Sequence, residues 1–283
     1  MRSDVTVLAQ LAAVFLVASQ AVSAPMAVAA PADHVQPVAA GAPESEPAVG
    51  SPWTDPVSGI AFVWVPGGSF EMGCGSWTSD CDDDEKPLHR RTVRGFWLGK
   101  HEVTQGQWRR VMGNDPAAFQ KGDSFPVEQV SWNDAQDFIR KLNERGNGTF
   151  RLPSEAEWEY ACRSGGRPEP FCGGGTVGSV AWYRENAGSS TQAVGRKAAN
   201  GLGLHDMSGN VWEWVEDCWS GSYSDAPLEG RARTTEACLL RVLRGGSWVD
   251  APRHVRAANR VWSSAAVRYR SLGFRLAREE MTP

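Results

Sequence analysis

Apolar side chains along this chain are spaced in two ways, and the change falls near Gly165. Before it lie short alternating runs and three stretches with a helical period. GIAFVWVPGGSFEMG, residues 59–73, alternates apolar with small or polar positions around a Pro-Gly-Gly break, which predicts a β-hairpin. RRTVRGFWLGKHEVT then predicts one further short strand. Thr104 is placed to cap a helix over QGQWRRVMG, with Gly113 as its stop. Ser131 is placed to cap WNDAQDFIRKLNERG, in which Trp132, Ala135, Phe138, Ile139 and Leu142 share one face. In RLPSEAEWEYACRSGG, Ser154 and Glu157 have capping-box spacing, and Glu155 and Glu157 suit the positive end of the helix dipole. Two glycines close that helix. Beyond Gly165 no helical period follows, and turns, short apolar pieces and scattered tryptophans predict a largely irregular half with short strands.

Composition sharpens this picture. The chain has 30 glycines and 13 tryptophans against 4 tyrosines, which suits many tight turns held by large flat side chains. With 283 residues, 41% of them hydrophobic, it is long enough for one main domain with a sizeable core. Its formal net charge is −4 and its pI about 5.8, so no broad basic surface is available for phosphate backbones or anionic lipid. No nucleic-acid partner is expected.

Residues 1–29 read as a signal peptide: Arg2 precedes an apolar run from Val5 to Ala18, and Ala27, Val28 and Ala29 offer a cleavage site before Ala30. The expected localisation is therefore periplasmic or secreted. An uncleaved anchor is the alternative, although the apolar run is shorter than the ~20 residues that a bilayer span needs. No other segment is suited to cross a membrane. Residues 30–57, rich in Ala, Pro and Glu, predict a disordered linker, and the folded domain is expected over residues 58–280. The six cysteines fall in sequence as Cys74 with Cys81, Cys162 with Cys172, and Cys218 with Cys238. Sequence alone leaves about 15 connectivities open. Pairing of neighbours is expected, because each bond would staple a loop that has no apolar content of its own. A zinc site is the competing reading, weakened by the lack of a C-x-x-C and of a histidine at ligand spacing.

Longer motifs carry a resemblance. FVWVPGGSFEMG, HEVTQGQW, FPVEQVSWNDAQDF, FRLPSEAEWEYACR, GLHDMSGNVWEWVEDCW, LRGGSW and LGFRLAR stand in one order over roughly residues 58 to 279. In this the chain resembles the formylglycine-generating enzyme, or sulfatase-modifying factor, family. The resemblance implies an α+β fold of low regular secondary-structure content, a variant of the C-type-lectin-like fold. It also implies one of several activities: oxidation of a client cysteine to formylglycine with oxygen and copper(I), sulfoxide synthesis, oxidase-like siderophore maturation of the pyoverdine type, or accessory roles in motility and secretion. Fold alone does not choose among them.

The copper chemistry needs two thiolates, since soft sulfur ligands select copper(I). At the position that the resemblance assigns to the first thiolate stands Asp250, the second falls near Val255, and no cysteine follows Cys238. Formylglycine generation and copper are therefore not expected. Asp250 and His254 are close enough in sequence to pair for acid-base work or to hold a different metal, with Ser247 as a third candidate catalytic residue. The alternative is that Asp250 caps the turn after Trp248 and pairs with Arg253 or Arg256, leaving His254 on the surface. Arg244, Arg256, Arg260 and Arg275 match family positions that hold the fold through carboxylates and carbonyls, with recognition of an anionic ligand as the alternative.

DMSGNVWEW resembles the family's calcium turn. Carried over, the ligands are the Asp206 carboxylate, the Gly209 and Val211 carbonyls and the Glu213 carboxylate, hard oxygens suited to a structural Ca2+. The alternative is a turn closed by Asp206, with Glu213 paired to an arginine. Trp182, Trp212, Trp214, Trp219, Trp248 and Trp262 are expected mostly in the core, and the acidic run CDDDEKP is expected to be a solvated, disulfide-closed loop. Together these readings favour an exported domain that binds a peptide or protein partner in the former substrate cleft. The alternative is a periplasmic oxidoreductase that acts on a siderophore-like small molecule with Asp250 and His254.

Overall fold

The computed structural model describes residues 46–145, 148–236 and 238–279. The expected signal peptide and residues 30–45 of the expected linker lie outside the described residues. Five strands come first: β1 (Pro52–Thr54), β2 (Ala61–Val65), β3 (Gly68–Met72), β4 (His89–Val93) and β5 (Phe96–Gly99). Helices α1 (Gln105–Met112), α2 (Trp132–Asn143) and α3 (Glu155–Cys162) follow, with β6 (Phe150–Arg151) before the last of them. The remaining elements are α4 (Val177–Val180), β7 (Ala181–Trp182), β8 (Ser208–Gly209), β9 (Trp212–Cys218), β10 (Leu240–Arg244), β11 (Arg260–Ser264), β12 (Leu272–Phe274) and β13 (Ala277–Arg278).

The folded part begins before the expected boundary at residue 58. Thr54 and its neighbours pair with β2, and the Trp53 ring lies 5.3 Å from Phe62. Asp55 closes the turn between the two strands by accepting from the amide and hydroxyl of Ser58, at 2.7 and 2.6 Å.

The expected hairpin at Pro-Gly-Gly does not form, and the reason is burial. Phe62, Val63, Trp64 and Val65 are all buried, so β2 needs partners on both edges and takes β1 and β5. Its successor β3 pairs with β4. The result is one long hairpin bent at Gly67 and Gly95, whose reversal is made by the loop between β3 and β4. At Gly67 a Cβ would stand 3.0 Å from both the Val93 carbonyl and the Gly95 amide, so the two bends fit together only without a side chain there. The predicted single strand in RRTVRGFWLGKHEVT is accordingly two, β4 and β5.

All three expected helix starts are present, each closed by a reciprocal capping box from Thr104, Ser131 or Ser154. Gly113, in the left-handed region at φ 82°, ends α1. The apolar face of α2 buries Ala135, Phe138, Ile139 and Leu142 as its spacing predicts. Every residue of α3 is buried, including Glu155, Glu157 and Glu159. Those carboxylates do more than complement a dipole: they hold Arg260, Arg151, Arg163 and Arg244.

Beyond Gly165 the described residues contain one four-residue α-helix, α4, a 3-10 turn at Pro252–Val255, and a four-stranded sheet in the order β11-β10-β9-β12. The larger, five-stranded sheet runs β1-β2-β5-β13-β6. Trp64, Trp158 and Trp214 are wholly buried, whereas Trp182, Trp219 and Trp248 are half-buried and Trp262 is exposed. The tryptophans therefore divide between core and surface more evenly than expected. All three neighbour disulfides are formed: Cys74–Cys81, Cys162–Cys172 and Cys218–Cys238.

Candidate functional site

The site is built at the end of β10. Gly245 and Gly246 both have positive φ, 94° and 73°, and a Cβ on Gly246 would lie 2.6 Å from the His254 carbonyl. That close approach folds residues 247–250 back against the 3-10 turn Pro252–Val255. Ser247 is buried, and its hydroxyl and amide both donate to Asp250 Oδ2, at 2.6 and 3.0 Å. In return the Asp250 amide donates to the Ser247 carbonyl at 3.1 Å. His254 Nδ1 stands 3.8 Å from Asp250 Oδ1, and His254 Nε2 accepts from Arg253 Nε at 2.8 Å. The three candidate catalytic residues are thus brought together, with a wiring unlike that of an activated serine. The serine proton goes to the carboxylate, and the imidazole lone pair is engaged by Arg253. Asp250 does cap its turn. It pairs with neither Arg253 nor Arg256 among the described residues, because Arg256 is bound to Glu85.

Copper(I) does not fit this donor set. Asp250 is a hard ligand, Val255 has no donor, and every cysteine of the chain is in a disulfide.

The turn from Asp206 to Glu213 lies beside the β9 end of the same sheet. Asp206 has φ 57°, and its Oδ2 accepts from the Gly195 amide at 2.6 Å. Its Oδ1 is buried and has no hydrogen-bond partner among the described residues. Glu213 receives Arg275 Nε and Nη2 at 2.7 and 2.6 Å, and the Trp158 indole at 2.8 Å. A third buried carboxylate, Glu102, which sequence reasoning did not single out, accepts from the Asn210 side chain at 2.6 Å and the Val211 amide at 3.0 Å. Burial, followed by the charges of Asp206 and Glu213, pushes the Glu102 carboxyl well above the usual range. Burial also raises Asp206. Glu213 is neutralised by Arg275, burial favours the protonated form of Glu102, and the orphaned Asp206 oxygen is a hard atom of the kind a cation takes. Of the two carboxylates expected to hold calcium, Asp206 keeps one oxygen without a hydrogen-bond partner among the described residues, whereas both Glu213 oxygens are held by Arg275 and Trp158, the arrangement expected as the alternative to a calcium turn.

The arginines are spent on the fold. Arg244 donates to Glu159 and to the Ala257, Ala258 and Asn259 carbonyls; Arg260 grips Glu155 at 2.7 and 3.0 Å; Arg275 grips Glu213. Arg256 holds Glu85 at 2.9 and 2.6 Å. Glu85 is wholly buried, which corrects the reading of CDDDEKP as a uniformly solvated loop. No local pattern marks Glu85 out; only the demand of Arg256 for a carboxylate could have found it.

Against the 3-10 turn lies a cavity of about 420 Å³, whose far walls are Ser76 to Asp80 of the Cys74–Cys81 loop and Pro170 with Phe171. Pro252, Arg253 and Arg256 form its near wall. Trp77, not among the tryptophans singled out from sequence, is its largest side chain. A wider groove of about 1020 Å³ lies elsewhere, and its charged walls include the pairs Arg151–Glu157 and Arg231–Glu229.

Residues 50–280 match the model of the sulfatase-modifying factor enzyme 1-like domain. The chain belongs to that family. Within the sulfatase-modifying factor family it is similar to the chaperone protein LppX of Paenibacillus barcinonensis, 32% identical over 243 residues that span 67% of this chain and 79% of LppX. It is also similar to the formylglycine-generating enzyme of Mycobacterium tuberculosis, 28% identical over 298 residues, spanning 76% of this chain and 96% of that enzyme. A solved structure of PvdO from Pseudomonas aeruginosa superposes with a TM-score of 0.74 at 31% identity, covering 82% of this chain and 98% of PvdO. The α+β fold with little regular structure is thus the fold of this family, as the motifs implied.

Proposed function

We propose that this sulfatase-modifying factor domain is an exported binding or accessory protein, not a cysteine-to-formylglycine oxidase, and that it takes a peptide or protein partner at the cavity beside the Ser247–Asp250 turn. The observation that carries this reading is the turn itself: Asp250 occupies the thiol position, is closed onto Ser247, and every cysteine is already paired. Similarity to a protein named a chaperone supports a partner-binding role. Placing a photo-crosslinking residue at Ser79, on the cavity wall, and separately at Arg94, on the wider groove, tests it in cells. A discrete cross-linked species from Ser79 alone is expected; equal cross-linking from the two positions would overturn the reading.

A second reading is favoured by the likeness to PvdO. On it the chain is a periplasmic oxidoreductase of the siderophore-maturation kind, acting on a siderophore-like small molecule with Asp250 and His254. Oxygen uptake with a siderophore precursor that falls in Asp250→Asn would support this alternative, and uptake unchanged by that substitution would remove it.

Calcium is the cofactor proposed for either reading, with a structural role at Asp206, Gly209, Val211 and Glu213. Addition of calcium to chelated protein is expected to raise Tm, and Asp206→Ala to abolish the rise. An equal Tm with and without calcium would eliminate the site.

A further inference from the structure

We infer that the cavity beside the 3-10 turn captures the C-terminus of a peptide, with Arg253 reading the terminal carboxylate and the rings of Trp77 and Phe171 receiving the last side chain. The inference rests on the partner-binding reading and names its ligand. At about 420 Å³ the cavity falls within the ~300–1,000 Å³ range of ligand clefts. Its apolar walls are Trp77, Phe171, Pro170 and Pro252.

Three charged side chains face this space, and their accounts differ. Arg256 is neutralised by Glu85 and donates further to the Asp80 carbonyl at 2.9 Å, so it has nothing left for a ligand. Asp80 is exposed, and its carboxylate accepts from Ser79 at 3.2 Å. Arg253 is in no ion pair among the described residues; only its Nε is engaged, by His254, which leaves both terminal nitrogens for a carboxylate fork. The Trp77 ring is fixed on one side by Arg163, whose guanidinium carbon lies 4.2 Å from its centroid, and its indole N–H is enclosed with no acceptor among the described residues.

This arrangement gives Asp250 and His254 a role as positioning residues. Because Nε2 accepts from Arg253, the imidazole proton sits on Nδ1, facing Asp250 Oδ1 at 3.8 Å. The carboxylate, fixed by Ser247, favours that tautomer, and the tautomer presents the lone pair that orients the guanidinium.

Titrating the protein with acetyl-Gly-Ala-Phe, and separately with its C-terminal amide, tests the inference, with the Trp77 indole proton followed by NMR. The acid is expected to bind about 10-fold or more tighter than the amide, the worth of a charge-assisted hydrogen bond. Arg253→Gln should erase that preference and Arg253→Lys keep part of it. Asp80→Asn, which removes a like charge, should tighten the acid. His254→Leu should weaken the acid alone, and His254→Gln, which retains an acceptor, should restore it. Equal affinity of acid and amide, a preference that survives Arg253→Gln, or no binding of either peptide would each overturn the inference. The Ser79 cross-links would then decide separately whether the cavity takes a partner at all.

Discussion

At the scale of single residues the molecule depends on carboxylates that each serve several donors. Glu159 is fully buried and accepts from the Gly73 amide, from Arg163 and from Arg244. Glu159→Gln keeps the shape but leaves two buried guanidinium groups facing a neutral amide. A loss of about 3–5 kcal/mol is expected, the cost of breaking a buried ion pair from one side, measured by urea denaturation. An unchanged midpoint would show that the two arginines find other acceptors. The four structural arginines were legible in the sequence through their motifs, and Glu213 was legible as a carboxylate for one of them, whereas the other partners were not. Glu85 looks like any member of an acidic run until Arg256, far along the chain, is brought against it. Likewise Asp250 and His254 were visible as neighbours, but the direction of their hydrogen bonds depends on Arg253 and on the buried Ser247 hydroxyl.

Elements were easiest to read where a local device specifies them. The capping box of α3 is such a device: Ser154 accepts from the Glu157 amide at 3.1 Å, and Glu157 accepts from the Ser154 amide at 2.8 Å. Its hydroxyl also donates to the Gly230 carbonyl. Ser154→Ala is expected to destabilise the protein by about 1–2 kcal/mol, the upper part of the range for a lost N-cap, and Ser154→Thr to recover most of it. Comparable Tm values for the Ala variant and the wild type would contradict this. Strand pairing was less legible, because alternation predicts a strand without naming its partner. The Pro-Gly-Gly break looked like a hairpin turn, yet burial of β2 on both faces sends its edges to β1 and β5.

For the whole molecule, buried ionisable groups shape stability against pH. Burial pushes the Glu128 carboxyl up to about 7. Its Oε1 accepts from the Phe119 amide at 2.7 Å, and its Oε2 has no partner among the described residues. A carboxyl raised in the folded state holds its proton longer there than in the unfolded chain. Its contribution is therefore complete below its ordinary pKa near ~4.3 and is lost as pH rises through about 7. His101 works the other way: burial and the neighbouring His205 lower it to about 3, so its contribution is lost as pH falls below the usual range. Urea midpoints between pH 5 and 8 should therefore fall less in Glu128→Gln than in the wild type. Parallel profiles would mean that Glu128 ionises normally.

One pairing ties the two ends of the folded part together. β13 lies between β5 and β6 in the five-stranded sheet, with Ala277 opposite both Leu98 and Arg151. On a ribosome the two earlier strands would emerge long before the strand that joins them, so the larger sheet stays incomplete until synthesis has nearly reached residue 278. A chain that withholds its own keystone in this way can close its larger sheet only once β13 has been made, so a truncation before Ala277 leaves β5 and β6 without the strand they share.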